Sequence, residues 1–161
     1  MIKDRTTAYA KLVVSGKKIA GRKEYLACKR HLDDLKNKKL EYKFDVEEAE
    51  FAINFANTLT LKDGTNLKTR GFQEFIIGSL HGWKKKRTKE RRFREAYLQV
   101  GRRNGKSFLS GAESTMFSTL LGNKDRIFCA ATKQDQANIV WDEIRNFIES
   151  DNDLSELYKI K

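Results

Sequence analysis

Seven residues constrain this chain more than any others: Gly101-Arg102-Arg103-Asn104-Gly105-Lys106-Ser107, set between a short apolar run and a helix-periodic stretch. Before them, Ala96-Tyr97-Leu98-Gln99-Val100 reads as a strand ending at Gly101; after them, residues 106–121 read as a helix closed by Gly122. Strand, glycine-bearing turn and helix in that order aim several backbone N–H groups and a helix N-terminus at one spot, which favours an anion. Gly105 permits the bend without a Cβ clash. Lys106 can reach the outer phosphates of a triphosphate, and Ser107 can offer a hydroxyl to Mg²⁺. The full pattern G-x-x-x-x-G-K-[ST] would place its first glycine at position 100, where Val100 stands; Gly101 shortens the spacing by one residue.

The rest of the second half extends this order. Arg126–Ala131 is a continuous apolar run of the kind found in a buried parallel strand, and residues 134–149 carry Ile139, Val140, Ile144, Phe147 and Ile148 at helical spacing. Strand, helix, strand, helix predicts a parallel α/β sheet. The first half reads as helices over 5–14, 22–36 and 71–83, and over a stretch from Asp45 to about Asn57 in which Glu48 completes a capping box. Lys62-Asp63-Gly64-Thr65 is turn chemistry. The chain contains no proline, so glycines punctuate it. The expected organisation is a helical N-terminal segment over 1–70 followed by an α/β segment over 71–161.

Charge is concentrated. The chain carries a formal +11, and residues 84–106 hold eleven cations against Glu90 and Glu95, so +9 lies there. A block this dense, Lys84, Lys85, Lys86, Arg87, Lys89, Arg91, Arg92 and Arg94 leading into the loop, seeks an anionic partner such as phosphate or DNA, or else is a solvated connector. Apolar residues make up 39%, enough for a core, but no run approaches the roughly 20 needed to span a membrane. The N-terminus has no signal-like apolar region, and Cys28 and Cys129 form no CxxC, which together predict a soluble, reduced, intracellular protein. His31 and His81 have no second ligand at metal spacing and read as structural, and Trp83 and Trp141 read as core.

These residues resemble the N-terminal ATPase domain of the large terminase subunit of tailed bacteriophages, the motor that packages DNA into procapsids. GRRNGKS is similar to that family's deviant phosphate loop, which carries an early basic residue. Gly71-Phe72-Gln73-Glu74-Phe75-Ile76-Ile77 leading to Gly82-Trp83 looks like its adenine-binding segment, and Ala130–Ala137 like the segment after the phosphate loop. Ser15-Gly16-Lys17 and Cys28–Leu35 resemble its leading helical segment. The resemblance implies a P-loop NTPase of the ASCE, RecA-like kind, with a parallel sheet incomplete at the C-terminus and ATP and Mg²⁺ as ligands. It implies Gln73 at the base, Lys106 at the β- and γ-phosphates and Ser107 at Mg²⁺. Arg102, or the adjacent Arg103, would stabilise charge on the transferring phosphoryl group. It also implies double-stranded DNA, a small terminase subunit and a portal protein as partners, a homo-oligomeric ring, and action at the procapsid portal in the bacterial cytoplasm.

Such an ATPase also needs a strand of apolar residues ending in Asp-Glu, to assist Mg²⁺ and activate water. Asp142-Glu143 sits instead within a periodic helix, where its carboxylates are expected on a solvent-facing surface. The acidic motif and the family's nuclease carboxylates are therefore expected beyond Lys161, and the chain is expected to bind nucleotide weakly without turning it over. Two strands alone are also expected to make a marginal sheet. Two other functions fit parts of the sequence: a superfamily 2 helicase or translocase, and a non-enzymatic module binding nucleic acid through residues 84–94.

Overall fold

The structure, a computed structural model, describes residues 3–121 and 127–158. The chain divides into two compact units, Met1–Asn54 with Thr69–Tyr97, and Phe55–Lys68 with Leu98–Lys161.

The first unit is built on three helices, α1 (Arg5–Val14), α2 (Arg22–Lys36) and α4 (Gly71–Gly82), with most of α3 (Val46–Thr58). Asp4 caps α1 by accepting from the Thr7 N–H at 2.9 Å, and Asp45 accepts from the Glu48 N–H at 3.4 Å, the first half of the expected capping box. Tyr9, Ala10 and Val13 of α1 pack with Cys28 of α2 and Phe75 of α4 to form a core. At Gly78 a Cβ would fall 1.8 Å from Thr6 Oγ1, so α1 and α4 approach with no side chain between them. Two short strands, β1 (Tyr42–Phe44) and β2 (Trp83–Lys85), pair antiparallel with Phe44 opposite Trp83.

His31 lies at the centre of this unit. Its Nδ1 accepts from the Trp83 indole N–H at 3.0 Å, and its Nε2 faces Thr7 Oγ1 at 2.9 Å. An indole can only donate, so Nδ1 is unprotonated and the ring is neutral. Phe44 and Phe75 meet the ring edge-on. Burial pushes the imidazole down to about 4, against the opposing pull of the Asp4 and Asp34 carboxylates. Burial, then the Glu24 carboxylate, likewise pushes the Cys28 thiol up to about 12. The reading of His31 and Trp83 as structural core residues holds.

The second unit contains a tight turn and three helices, α5 (Lys106–Leu121), α6 (Gln134–Glu149) and α7 (Asn152–Leu157). In the turn the Leu67 N–H donates to Leu59 O at 2.8 Å, and Gly64 takes φ +77°, as the Asp63-Gly64 pair predicts. Leu109, Ala112 and Met116 of α5 and Ile144, Phe147 and Ile148 of α6 are buried. Asp151 caps α7 through the Leu154 N–H, and Tyr158 donates to Thr119 Oγ1 at 3.1 Å.

The expected parallel sheet does not form among the described residues, where the sheet present is the antiparallel β1–β2 pair. Residues 96–100 and 127–131 carry no ladder bonds. Tyr97 is 80% exposed and Phe128 83%. An apolar run becomes a parallel strand only when neighbours pair its edges and helices cover both its faces, and here neither condition is met. Trp141, read as core, is 44% exposed. Gly122 and Arg126, the expected helix stop and the first residue of the second expected strand, lie outside the described residues. No helix among the described residues is long and apolar enough to cross a membrane.

Candidate functional site

The 101–107 segment is a compact turn running into the N-terminus of α5. Arg103 has φ +64° and Gly105 φ +72°, so two residues flanking Asn104 are left-handed. Glycine adopts this freely, whereas for arginine it costs roughly 1–2 kcal/mol. The Asn104 amide holds the turn by donating to Gly101 O at 3.3 Å and Arg102 O at 3.1 Å. Gly105 O accepts the first helical bond, from the Leu109 N–H at 3.0 Å, so Lys106 and Ser107 begin the helix with their own N–H groups free of intrahelical partners.

A cavity of about 310 Å³ opens at this helix start, walled by Gly101, Arg102, Arg103, Gly105, Lys106 and Ser107 together with Val100, Phe108 and Glu143. Arg102, Arg103 and Lys106 are exposed, and none forms an ion pair with a described residue. Three cations beside free helix-N-terminal amides make a site of strongly positive potential, suited to a polyanion. The loop residues singled out in the sequence are thus brought together around one space.

Glu143 is the residue that sequence reasoning missed. Expected on the solvent face of its helix, it is half-buried and lines the loop cavity. Burial raises its carboxyl above the usual range, assisted by Asp142 and opposed by the Lys62 ammonium. Close packing of α5 on α6 puts it there: a Cβ on Gly111 would lie 2.9 Å from the Glu143 Cβ. The available signal was its place four residues before the buried Phe147, on the same helical face.

Gln73 belongs to the first unit, where its Oε1 accepts from the Arg70 N–H at 2.8 Å and so caps α4. The basic run also lies largely in that unit, and much of it is tied down. Lys84 pairs with Glu48 at 2.8 Å, Lys85 with Glu41 at 3.1 Å, and Arg92 with Asp34 at 2.7 Å. Lys86 donates to Lys38 O at 3.1 Å, and Arg91 bridges to Lys84 through the backbone. Arg87, Lys89 and Arg94 remain exposed, Arg94 only loosely near Glu90 at 3.8 Å.

Comparison with known protein families supplies the identity. The sequence model described as terminase large subunit, ATPase domain, matches residues 71–160. The chain belongs to that family. No curated protein and no solved structure shows significant similarity to it. At the level of the family this terminase chain is part of a DNA-packaging motor ATPase, which decides against the helicase alternative. The matched stretch takes in Gln73, the basic run, the loop and both helices that wall its cavity.

Proposed function

We propose that this chain binds the triphosphate of Mg²⁺-ATP at the 101–107 loop and serves as the nucleotide-binding part of a motor that drives double-stranded DNA into procapsids. The observation that carries the reading is the cavity at the start of α5 with three cations left unpaired among the described residues, inside the stretch that matches terminase. Lys84, Lys85 and Arg92 are each paired with a carboxylate, whereas three cations grouped without such partners around one concave space suit an anionic ligand.

The residues fit the group. Lys106 neutralises the outer phosphates from the first turn of α5, and the free amides of that turn hold phosphate oxygens. Arg102 and Arg103 add charge where it builds on the transferring phosphoryl group. The Ser107 hydroxyl is the group that would hold Mg²⁺, which when bound neutralises charge on the phosphate oxygens. The setting proposed for this site is the family's: a small terminase subunit, a portal, a ring of copies and the bacterial cytoplasm, a reading that family membership supports. Exposed Arg87, Lys89 and Arg94 are the cations of the basic run best placed to meet DNA phosphate.

Calorimetric titration with Mg²⁺-ATP tests the reading. Saturable binding by the wild type should weaken by at least about tenfold in Lys106→Ala, as expected when one charge-assisted bond to phosphate is removed. Equal binding by both proteins would remove the loop from the site.

A further inference from the structure

We infer that the end of the β1–β2 sheet, with the 37–40 turn beside it, is a sequence-independent seat for the phosphodiester backbone of duplex DNA, in which Lys43 and Lys89 share one phosphate. This rests on the reading that exposed cations of the basic run meet DNA. It extends the contact to Lys38, Lys39 and Lys43, which belong to an earlier part of the sequence.

The fold joins the two stretches. The Lys86 N–H donates to Glu41 O at 3.0 Å and the Lys86 ammonium to Lys38 O at 3.1 Å, so the 86–89 turn lies against the 37–40 turn. Asn37 fixes the latter: its side-chain oxygen accepts from the Lys39 N–H and its carbonyl from the Leu40 N–H, each at 3.1 Å. Lys38, Lys39, Lys43, Arg87 and Lys89 are all exposed there. Residues 36–45 carry a net +2 and residues 84–91 a net +5, so side by side they far outweigh their own carboxylates. Glu48 of α3 takes up one of these charges, pairing with Lys84, and Glu41 another, pairing with Lys85.

One face of the sheet concentrates like charge. Phe44 stands opposite Trp83, and both pack on His31. By alternation Lys43 and its partner Lys84 point to the other face, and Arg91 continues their row through an antiparallel bridge to Lys84. Lys89 takes φ +63°, with its N–H on Lys85 O at 3.0 Å, and its ammonium comes within hydrogen-bonding reach of the Lys43 ammonium. That contact, more than burial, holds Lys89 below its ordinary value, with Asp45 opposing. Lys43 meets Asp45 at only 3.9 Å, and Lys89 forms no ion pair with a described residue. Like charges placed opposite one another weaken a sheet, so this arrangement works against the fold. A phosphodiester, whose two non-bridging oxygens share one negative charge, can accept from both ammoniums and remove the repulsion. Lysines are point charges on flexible stems, without the planar fork of arginine, and suit backbone contacts whatever the base sequence.

Fluorescence anisotropy with a short labelled duplex, titrated at several salt concentrations, tests the seat on the full chain. Lys43→Gln should flatten the salt slope by about one unit, the share of one phosphate, and the Lys38→Gln, Lys39→Gln double variant by about two. Because Lys43 faces like charge, Lys43→Gln should also leave the urea midpoint unchanged or raised, which a residue kept for folding would not do. Lys11→Gln on α1 removes the same charge elsewhere and should leave the slope unmoved. A slope lowered by Arg87→Gln but unmoved in Lys43→Gln and the double variant would overturn the inference while leaving DNA contact by the basic run intact. Equal losses in Lys43→Gln and Lys11→Gln would reduce the effect to net charge and overturn it too. Polyglutamate bound as tightly as the duplex would overturn it in favour of an acidic protein segment. No duplex binding by the wild type would overturn both the seat and the DNA contact proposed for the run.

Discussion

The two units treat their polar groups in opposite ways. In the first, Arg5 reaches Glu50 at 2.7 Å and Glu74 at 3.3 Å, Arg92 holds Asp34, and His31 joins Trp83 to Thr7. Charge and hydrogen bonding there are turned inward, onto the unit's own helices. In the second, Arg102, Arg103 and Lys106 surround a cavity without ion pairs among the described residues, and Phe108, Phe128, Ile139 and Trp141 are exposed. Both units leave large apolar side chains exposed, Ile19 and Tyr97 in the first as well as Phe128 and Ile139 in the second, so the contrast lies in the charges. Three cations kept without ion pairs among the described residues around one concave space, beside a backbone strained at Arg103, have the marks of a ligand site.

Acid should break the contrast most severely, from the scaffold side. His31 is held near 4 in the folded unit, whereas an unfolded histidine titrates near 6.5. Between those values the unfolded chain binds the extra proton, so stability falls as pH falls. This contribution is complete above about pH 6.5 and is lost by about pH 4, a difference of about 3 kcal/mol at 1.36 kcal/mol per unit. Protonating Nδ1 would set two donors, the imidazolium and the Trp83 indole, against each other. Urea unfolding followed by Trp83 fluorescence should show its midpoint dropping across that window. A midpoint independent of pH would mean that His31 is not buried neutral.

A smaller effect is expected where the second unit is most closely packed. Gly111→Ala would bring a methyl group to 2.9 Å from the Glu143 Cβ and 3.2 Å from the Phe147 ring. Neither atom is the end of a flexible chain, so α5 and α6 must separate, at about 1–3 kcal/mol. Because Glu143 lines the loop cavity, ATP affinity should fall along with stability. Lower stability with unaltered affinity would show that the packing of α6 on α5 does not shape the site.

Sequence reasoning recovered what local periodicity encodes and little that depends on distant partners. The bounds of α1, α2, α5 and α6 coincide with those read from the sequence. β1 and β2 are three residues each, too short for alternation to stand out. The runs at 96–100 and 127–131 have the composition of buried strands, yet strandhood is conferred by neighbours, which composition does not report. In the candidate site, the loop was legible because its glycine, lysine and serine are neighbours in sequence. Glu143 was not, because half a helical turn decides its role. The buried arc of α6 is turned toward Phe147 and away from Trp141, so Glu143 falls inside it and Trp141 outside.

A difference in stability between two nearby arginines separates scaffold from ligand surface within the basic run itself. Arg92 and Arg94 are two residues apart. Arg92 is 17% exposed, as is its partner Asp34, and its guanidinium lies over the Trp83, Tyr42 and Phe93 rings. Arg94 is 75% exposed and meets Glu90 at only 3.8 Å. Arg92→Ala should therefore cost about 1.5–3 kcal/mol, the range for a hydrogen bond to a charged group, whereas Arg94→Ala should cost no more than about 0.5 kcal/mol. If the free cations of the run meet DNA, the order reverses in binding. Arg94→Ala should then lower affinity for duplex DNA of any sequence and flatten its dependence on salt, by about one unit of slope for each phosphate no longer neutralised. A salt slope unmoved by Arg94→Ala would make Arg94 a solvated side chain and not a DNA contact.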